Sequence, residues 1–148
     1  MLGTIACGRK GPIVDKALSA GPAWADVAKL RKALQPLTQA TEDHPALAQE
    51  TLLAFASNVG ASELGLSAAD FHCSDVSLVN MKDVSEGKVR RATAFSRVAF
   101  NQHGTQALVL VTSASGNPGG MGSSDSFLFL TRPVGVWVVV GWVPWSIA

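Results

Sequence analysis

Few residues in this chain are of types that do chemistry, and the densest group is "DFHCSD", where Asp70, His72, Cys73 and Asp75 crowd together. Their types suit zinc, but a zinc site draws its ligands from two separated clusters, and no second cluster accompanies this one. In an extended segment His72 and Cys73 point to opposite sides. Cys73 therefore reads as a small buried apolar residue, and no metal or other cofactor is expected. Of the other histidines, His44 precedes a helical pattern and His103 falls in a turn, both ordinarily exposed places. There is no G-x-S-x-G elbow, and neither Cys7 nor Cys73 has an activating neighbour. Acid–base pairs fare no better, because Asp125 is the sole acid after Glu86. The chain reads as a non-catalytic binding or protein-interaction module.

The glycine-rich stretch "SASGNPGGMGSS", residues 113–124, invites a phosphate-cradle reading. Such a cradle needs a lysine followed by Ser or Thr at the start of a helix. Here no Lys or Arg occurs between Arg97 and Arg132, and a strand pattern follows. A dinucleotide loop needs a third glycine and a helix N-terminus as well. The stretch therefore reads as a long, mobile hairpin connection. Its Gly116, Gly119 and Gly120 keep a narrower role, as places where a partner's backbone could come close.

Arg97 interrupts an apolar strand pattern in "FSRVAF" and must reach the surface or find a partner. One reading pairs it with an aromatic ring or with an acid such as Asp70. The other makes it a cationic anchor for a carboxylate ligand, in a pocket between helices and sheet that includes Trp24. That pocket defines the alternative function, a small-molecule-binding or hydrolytic domain. Trp137, Trp142 and Trp145 crowd the C-terminal end. Aromatic residues at this density suit core or interface anchoring.

The elements that position these residues divide the chain in two. "GPAWADVAKLRKALQP" sets Trp24, Val27, Leu30 and Leu34 at helical spacing between Pro22 and Pro36. A second helix is expected from near Asp43 and Pro45, with Leu52, Phe55, Ala56 and Val59 on its apolar face and Gly60 at its exit. "SAAD" (67–70) resembles a capping box, and an earlier helix is conceivable over 13–20. Beyond residue 75 the period changes to two. Strands are expected over 76–81, 92–101, 106–112, 125–131 and 136–142, with turns at "SEGK", "NQHG" and "RPVG". Pro144 limits pairing at the end of the last strand. Short connections require mostly antiparallel neighbours, so the expected fold is α+β: N-terminal helices on a mostly antiparallel sheet of four to five strands, one domain over 13–148.

Several late strands are apolar on both alternating faces, for example Val109 and Val111 against Leu108 and Leu110. A one-sided sheet would carry polar residues outward. The second face must therefore be covered by curling, by the N-terminal segment or by another chain. A homodimer or other protein partner is the leading expectation.

Charge is low, with 16% Asp, Glu, Lys and Arg, and it is uneven. Residues 33–81 carry acids and no Lys or Arg. The one dense basic cluster, Lys88, Arg90 and Arg91, sits beside Asp83 and Glu86, so nucleic acid is excluded as a partner. No apolar run spans a bilayer. The first twelve residues read as a flexible tail. Within it "MLGTIACG" resembles the end of a lipoprotein signal, and Cys7 is a lipid-acceptor candidate if the reading frame begins upstream.

"FSRVAFN", "TQALVLV", the glycine-rich stretch, "GVWVVV" and "WS" together resemble the C-terminal module of a widespread set of uncharacterised bacterial proteins. The resemblance covers residues 94–146 and involves Arg97, Asn101, Thr105, Gln106, Trp137 and Trp145. Many of those proteins are exported or lipid-anchored, which implies the cell envelope and favours a lipidated Cys7. Some place two cysteines in the glycine-rich stretch. Ser115 and Gly119 stand there instead, so that clamp is missing.

Overall fold

The computed structural model describes residues 11–61, 64–67, 71, 76–117 and 120–145, with the backbone path alone for 117 and 120–122. Asp70, His72, Cys73, Asp75, Cys7, Gly119 and most of "SAAD" lie outside the described residues. The chain is α+β, with three α-helices and nine strands among the described residues. The strands are β1 (Ile13–Val14), β2 (Lys16–Ala17), β3 (Leu64–Gly65), β4 (Leu78–Val79), β5 (Arg91–Phe95), β6 (Ala99–Phe100), β7 (Gln106–Asn117), β8 (Gly120–Thr131) and β9 (Val138–Trp145). The helices are α1 (Val27–Ala33), α2 (Gln49–Asn58) and α3 (Met81–Ser85).

Seven strands form one sheet in the order β4-β1-β5-β7-β8-β9, with β6 continuing the β5 side of β7; β2 and β3 pair separately. This sheet is larger than the four to five strands expected, and it is mixed. Its centre is antiparallel from β5 to β9, whereas β1 lies parallel to both β4 and β5. The sequence around Ile13 gives no helix. Two residues of β1 fill the slot between β4 and β5, and Ile13 and Val14 are buried there. So short a run shows no period of its own, and only tertiary pairing decides its state.

The glycine-rich stretch is corrected too. β7 and β8 pair without interruption from Gln106↔Thr131 to Asn117↔Gly120, leaving only residues 118–119 between them. Residues 113–117 and 120–124 are strand, not a long connection. Gly116 is buried, and its N–H donates to the Arg90 carbonyl at 3.0 Å. A Cβ added there would lie 1.9 Å from the Val84 carbonyl oxygen of α3. The glycine is thus used for packing inside the chain.

The helical half holds in outline, with shifted boundaries. Pro22 opens a 3-10 turn, Asp26 caps α1 by accepting from the Ala28 and Lys29 N–H groups at 3.0 and 3.3 Å, and a second 3-10 turn covers Gln35–Leu37. α2 begins at Gln49, later than expected. Thr41, not Asp43, organises the preceding turn, accepting from the Asp43 and His44 N–H groups. α3 was not anticipated; Asn80 caps it by accepting from Asp83 N–H at 2.8 Å. The turns at Gly104 and Gly135 have φ of 66° and 74°, the left-handed conformation their glycines permit.

Two apolar clusters sandwich the β7–β8 hairpin. On one face Trp24, Leu30, Leu34, Leu37, Leu52 and Phe55 pack on Leu108, Leu110, Phe127 and Phe129. On the other, Ile13, Leu66, Phe71, Val76, Leu78 and Phe95 cover Ala107, Val109, Val111, Leu128 and Leu130. The second face is therefore covered within the chain over the sheet centre. Among the described residues no helix is long and apolar enough to cross a membrane.

The Gly116→Ala variant is expected to lose about 1–3 kcal/mol, because overpacking against backbone cannot relax locally. Gly65→Ala, where a Cβ meets nothing within 4 Å, is the neutral control. Urea unfolding with an unchanged m-value measures both.

Candidate functional site

Helix α1 fixes one wall of an open groove of about 1170 Å³, bounded opposite by the middle of β8 and the end of β9. Lys29 and Lys32, three residues apart, lie on one face of α1 and line it together with Ala33, Gln35, Pro36 and Gln39. The opposite wall is Trp145 and Asp125, which stand directly across from each other in the β8–β9 ladder. Trp24 forms the base. Its ring meets Trp145 edge-to-face at 4.9 Å and Phe127 at 5.1 Å, so Trp24 is buried while Trp145 stays partly exposed. The Thr112 hydroxyl donates to the Asp125 carboxylate at 2.7 Å, which fixes that carboxylate midway along β8. The described lining is thus aromatic and proline-flanked, with two ammonium groups, one carboxylate and no histidine, serine or cysteine.

Arg97 does not share this groove, which corrects the expected pairing with Trp24. The continuous strand expected over 92–101 is broken at residues 96–98. At the break the Ser96 N–H donates to the Leu110 carbonyl, and the Ser96 hydroxyl accepts from Leu110 N–H, both at 2.9 Å. Ser96 thereby keeps the chain attached to β7 through the kink. Arg97 follows it into a separate depression of about 290 Å³ with Ala17, Asn58, Leu64, Leu66, Val98 and Phe100. It is half-buried there and not without a partner. Its expected partner Asp70 lies outside the described residues.

The three late tryptophans separate. Trp137 is a structural residue: Arg132 stacks over its ring at 5.0 Å, and Phe100 packs at 5.7 Å. Trp145 belongs to the groove. Trp142 pairs across from Leu128, on the face away from the helices, and is 60% exposed. Val139, opposite Leu130, shares that face and is exposed as well. β9 is the edge strand of the sheet, and the turn leading into it adds Val134 and Val136, 85% and 67% exposed. No charged residue occurs after Arg132. An open, uncharged, apolar strand is uncommon at a sheet edge, where charges ordinarily block further pairing. Val140 faces the gap between Phe129 and Leu130 as a bulge, and Pro144 lies near the end. Those two devices shorten the pairable backbone but leave the apolar side chains in place.

Several residues behind the resemblance do structural work. Asn101 Oδ1 accepts from the Thr105 and Gln106 N–H groups, and its amide donates to the Thr105 hydroxyl, shaping the turn before β7. Gln106 reaches α2, whose N-cap Ala48 has no capping side chain of its own. Gln106 Oε1 accepts from Ala48 N–H at 2.9 Å and from the Thr51 hydroxyl at 3.1 Å, while Nε2 donates to the Ala46 carbonyl at 2.9 Å. The Glu50 carboxylate accepts from Gln102 N–H at the same junction. Sequence reasoning passed over Lys29 and Lys32, and it reached Gln106 only through the resemblance, without a role. The lysines carried a signal only in their spacing, largely away from the apolar stripe of Trp24, Val27, Leu30 and Leu34. Gln106 carried none, because a cap supplied from another element has no local pattern. His44 packs against Phe129 at 5.7 Å, and His103 is exposed in its turn. Among the described residues no group of three or more His, Cys, Asp or Glu side chains is arranged to hold a metal.

No family model, no curated protein and no solved structure matches the chain.

The Gln106→Ala variant leaves the Ala48 N–H and the buried Thr51 hydroxyl without this acceptor, and is expected to cost about 1–3 kcal/mol. Gln106→Glu keeps the acceptor but at neutral pH sets a carboxylate oxygen against the Ala46 carbonyl, so it is expected to be destabilising as well and to recover when acid protonates the new carboxyl. Chemical denaturation of both variants measures the difference.

Proposed function

We propose that this chain is a non-catalytic interaction module that works as a homodimer, two copies meeting through β9 and the turn before it. The observation that carries this reading is the edge strand itself: Val134, Val136, Val138, Val139 and Trp142 are all exposed along a segment without charge. A neutral strand faces its own copy without like-charge repulsion, which a two-fold interface requires, since the same patch meets itself. Burial of an exposed tryptophan flanked by valines also matches the composition of interface centres, which are aromatic-rich and depleted in charge. The expected interface is thereby narrowed. The broad second face is already covered over β7 and β8, and what stays open is the β9 margin. The resemblance to exported or lipid-anchored proteins supports a place in the cell envelope, with Cys7 as the lipid acceptor if the reading frame begins upstream.

The alternative pocket around Arg97 has less in its favour. Its depression is small and bounded mainly by apolar side chains, and its arginine has a partner.

Sedimentation equilibrium at micromolar concentration is expected to give a dimer for the native chain. The Val139→Lys/Trp142→Glu double variant is expected to be monomeric with an unchanged far-UV circular dichroism spectrum. A native chain that sediments as a monomer throughout the micromolar range overturns the proposal.

A further inference from the structure

From the Trp24–Trp145 groove we infer a binding site for a small amphipathic monoanion, an apolar chain or ring system ending in a carboxylate or sulfonate. This surface lies on the helical side of the sheet, and the inference stands independently of dimerisation. Three observations carry it.

The first is shape and lining. The groove is roomy, at about 1170 Å³, and its base and flanks are Trp24, Trp145, Pro22, Ala23, Ala33 and Pro36. A pocket built for a small ligand is mostly apolar with a few placed polar groups, and this composition has that form. The edge-to-face contact with Trp24 anchors the Trp145 ring while leaving part of it open to a ligand.

The second is charge placement. Lys29 and Lys32 sit one helical turn apart on the same face of α1, which brings two flexible ammonium groups within reach of a single anionic head. α1 is held in register by the Asp26 cap, so the positions of both lysine stems are set by backbone geometry.

The third is the balance of charge. Asp125 contributes one carboxylate to the opposite wall, and Thr112 already donates to it. The described lining therefore carries two positive charges and one negative, an excess that matches one negative head group. A dianion would face Asp125 uncompensated, and a neutral amphiphile would leave the lysines unused.

Titration with sodium dodecanoate below its micelle concentration, followed by calorimetry and tryptophan fluorescence, tests the assignment. Saturable binding of one dodecanoate per chain is expected. The Lys29→Ala/Lys32→Ala variant, which alters exposed residues only, is expected to weaken it by about tenfold or more, the loss of a charge-assisted contact. Binding of the neutral dodecyl maltoside should be weaker in the native chain and insensitive to the lysine replacements. The same titration on the Trp142→Glu variant separates this groove from the exposed β9 face, and unchanged dodecanoate affinity is expected there. Absence of saturable binding, equal affinity after loss of both lysines, or loss of binding with Trp142→Glu would each overturn the inference.

Discussion

Everything in this structure depends on one long hairpin that is apolar on both sides. β7 and β8 run as twelve-residue strands, and their central residues are buried on both faces. Two cover layers follow from that. α1, α2 and the turn bearing Trp24 shield Leu108, Leu110, Phe127 and Phe129, while Ile13, Leu66, Phe71, Val76, Leu78 and Phe95 shield the reverse. Among the described residues the reverse cover comes from short strands and the residues beside them, not from a helix. Few regular elements are needed to exclude water there, because the side chains alone remove the apolar surface from solvent. The parallel insertion of β1 between β4 and β5 extends that cover to the far side of the sheet.

The sequence made the antiparallel core legible because its period was strong. Leu108 to Val111 and Phe127 to Leu130 announce strands, and the glycines at 104 and 135 announce the turns that begin and end them. What stayed hidden was structure that only long-range pairing creates. β1, β2, β3 and β4 have two residues each, too few for any period. The extension of β7 and β8 through "SASGNPGGMGSS" was masked by glycine and serine, residues poor in strand propensity. There tertiary demand overrides propensity: Gly116 must be small because the Val84 carbonyl lies against it. The separation of Arg97 from Trp24 was equally illegible, since the kink at Ser96 is held by a side-chain hydrogen bond to a neighbouring strand. Of the groove, Trp24 and Trp145 were recognised singly. Their meeting, and the lysines above them, required the fold.

Gln106 shows how the two halves are joined. One side chain from the start of β7 satisfies the exposed end of α2 with three hydrogen bonds. A helix whose own N-cap is alanine lacks local stabilisation at that end. The register of α2 on the sheet is therefore set by a polar clasp at one end and by Leu52 and Phe55 against the hairpin along its length. Apolar packing tolerates sliding, whereas hydrogen bonds at fixed distances do not, so the clasp supplies the specificity of the contact. The Asn101 turn places Gln106 correctly, which links "FN", "T" and "Q" of the resemblance into one structural device.

The uneven charge of the chain then acquires a spatial meaning. Lys29 and Lys32 stand on α1 over the groove, whereas β9 carries no charged side chain, so the two proposed surfaces differ in chemistry. β8 connects them: Asp125, midway along it, faces the lysine-lined groove, and Leu128 and Leu130 further along lie behind the open Trp142 and Val139. A ligand on the helical face and a second copy on the reverse face would thus press on opposite sides of the same strands. Coupling needs an element with two arrangements that both contacts bias, and a close-packed strand favours a single one. The two proposed contacts should therefore be energetically separate unless the bulge at Val140, the least regular point of β9, gives way between them.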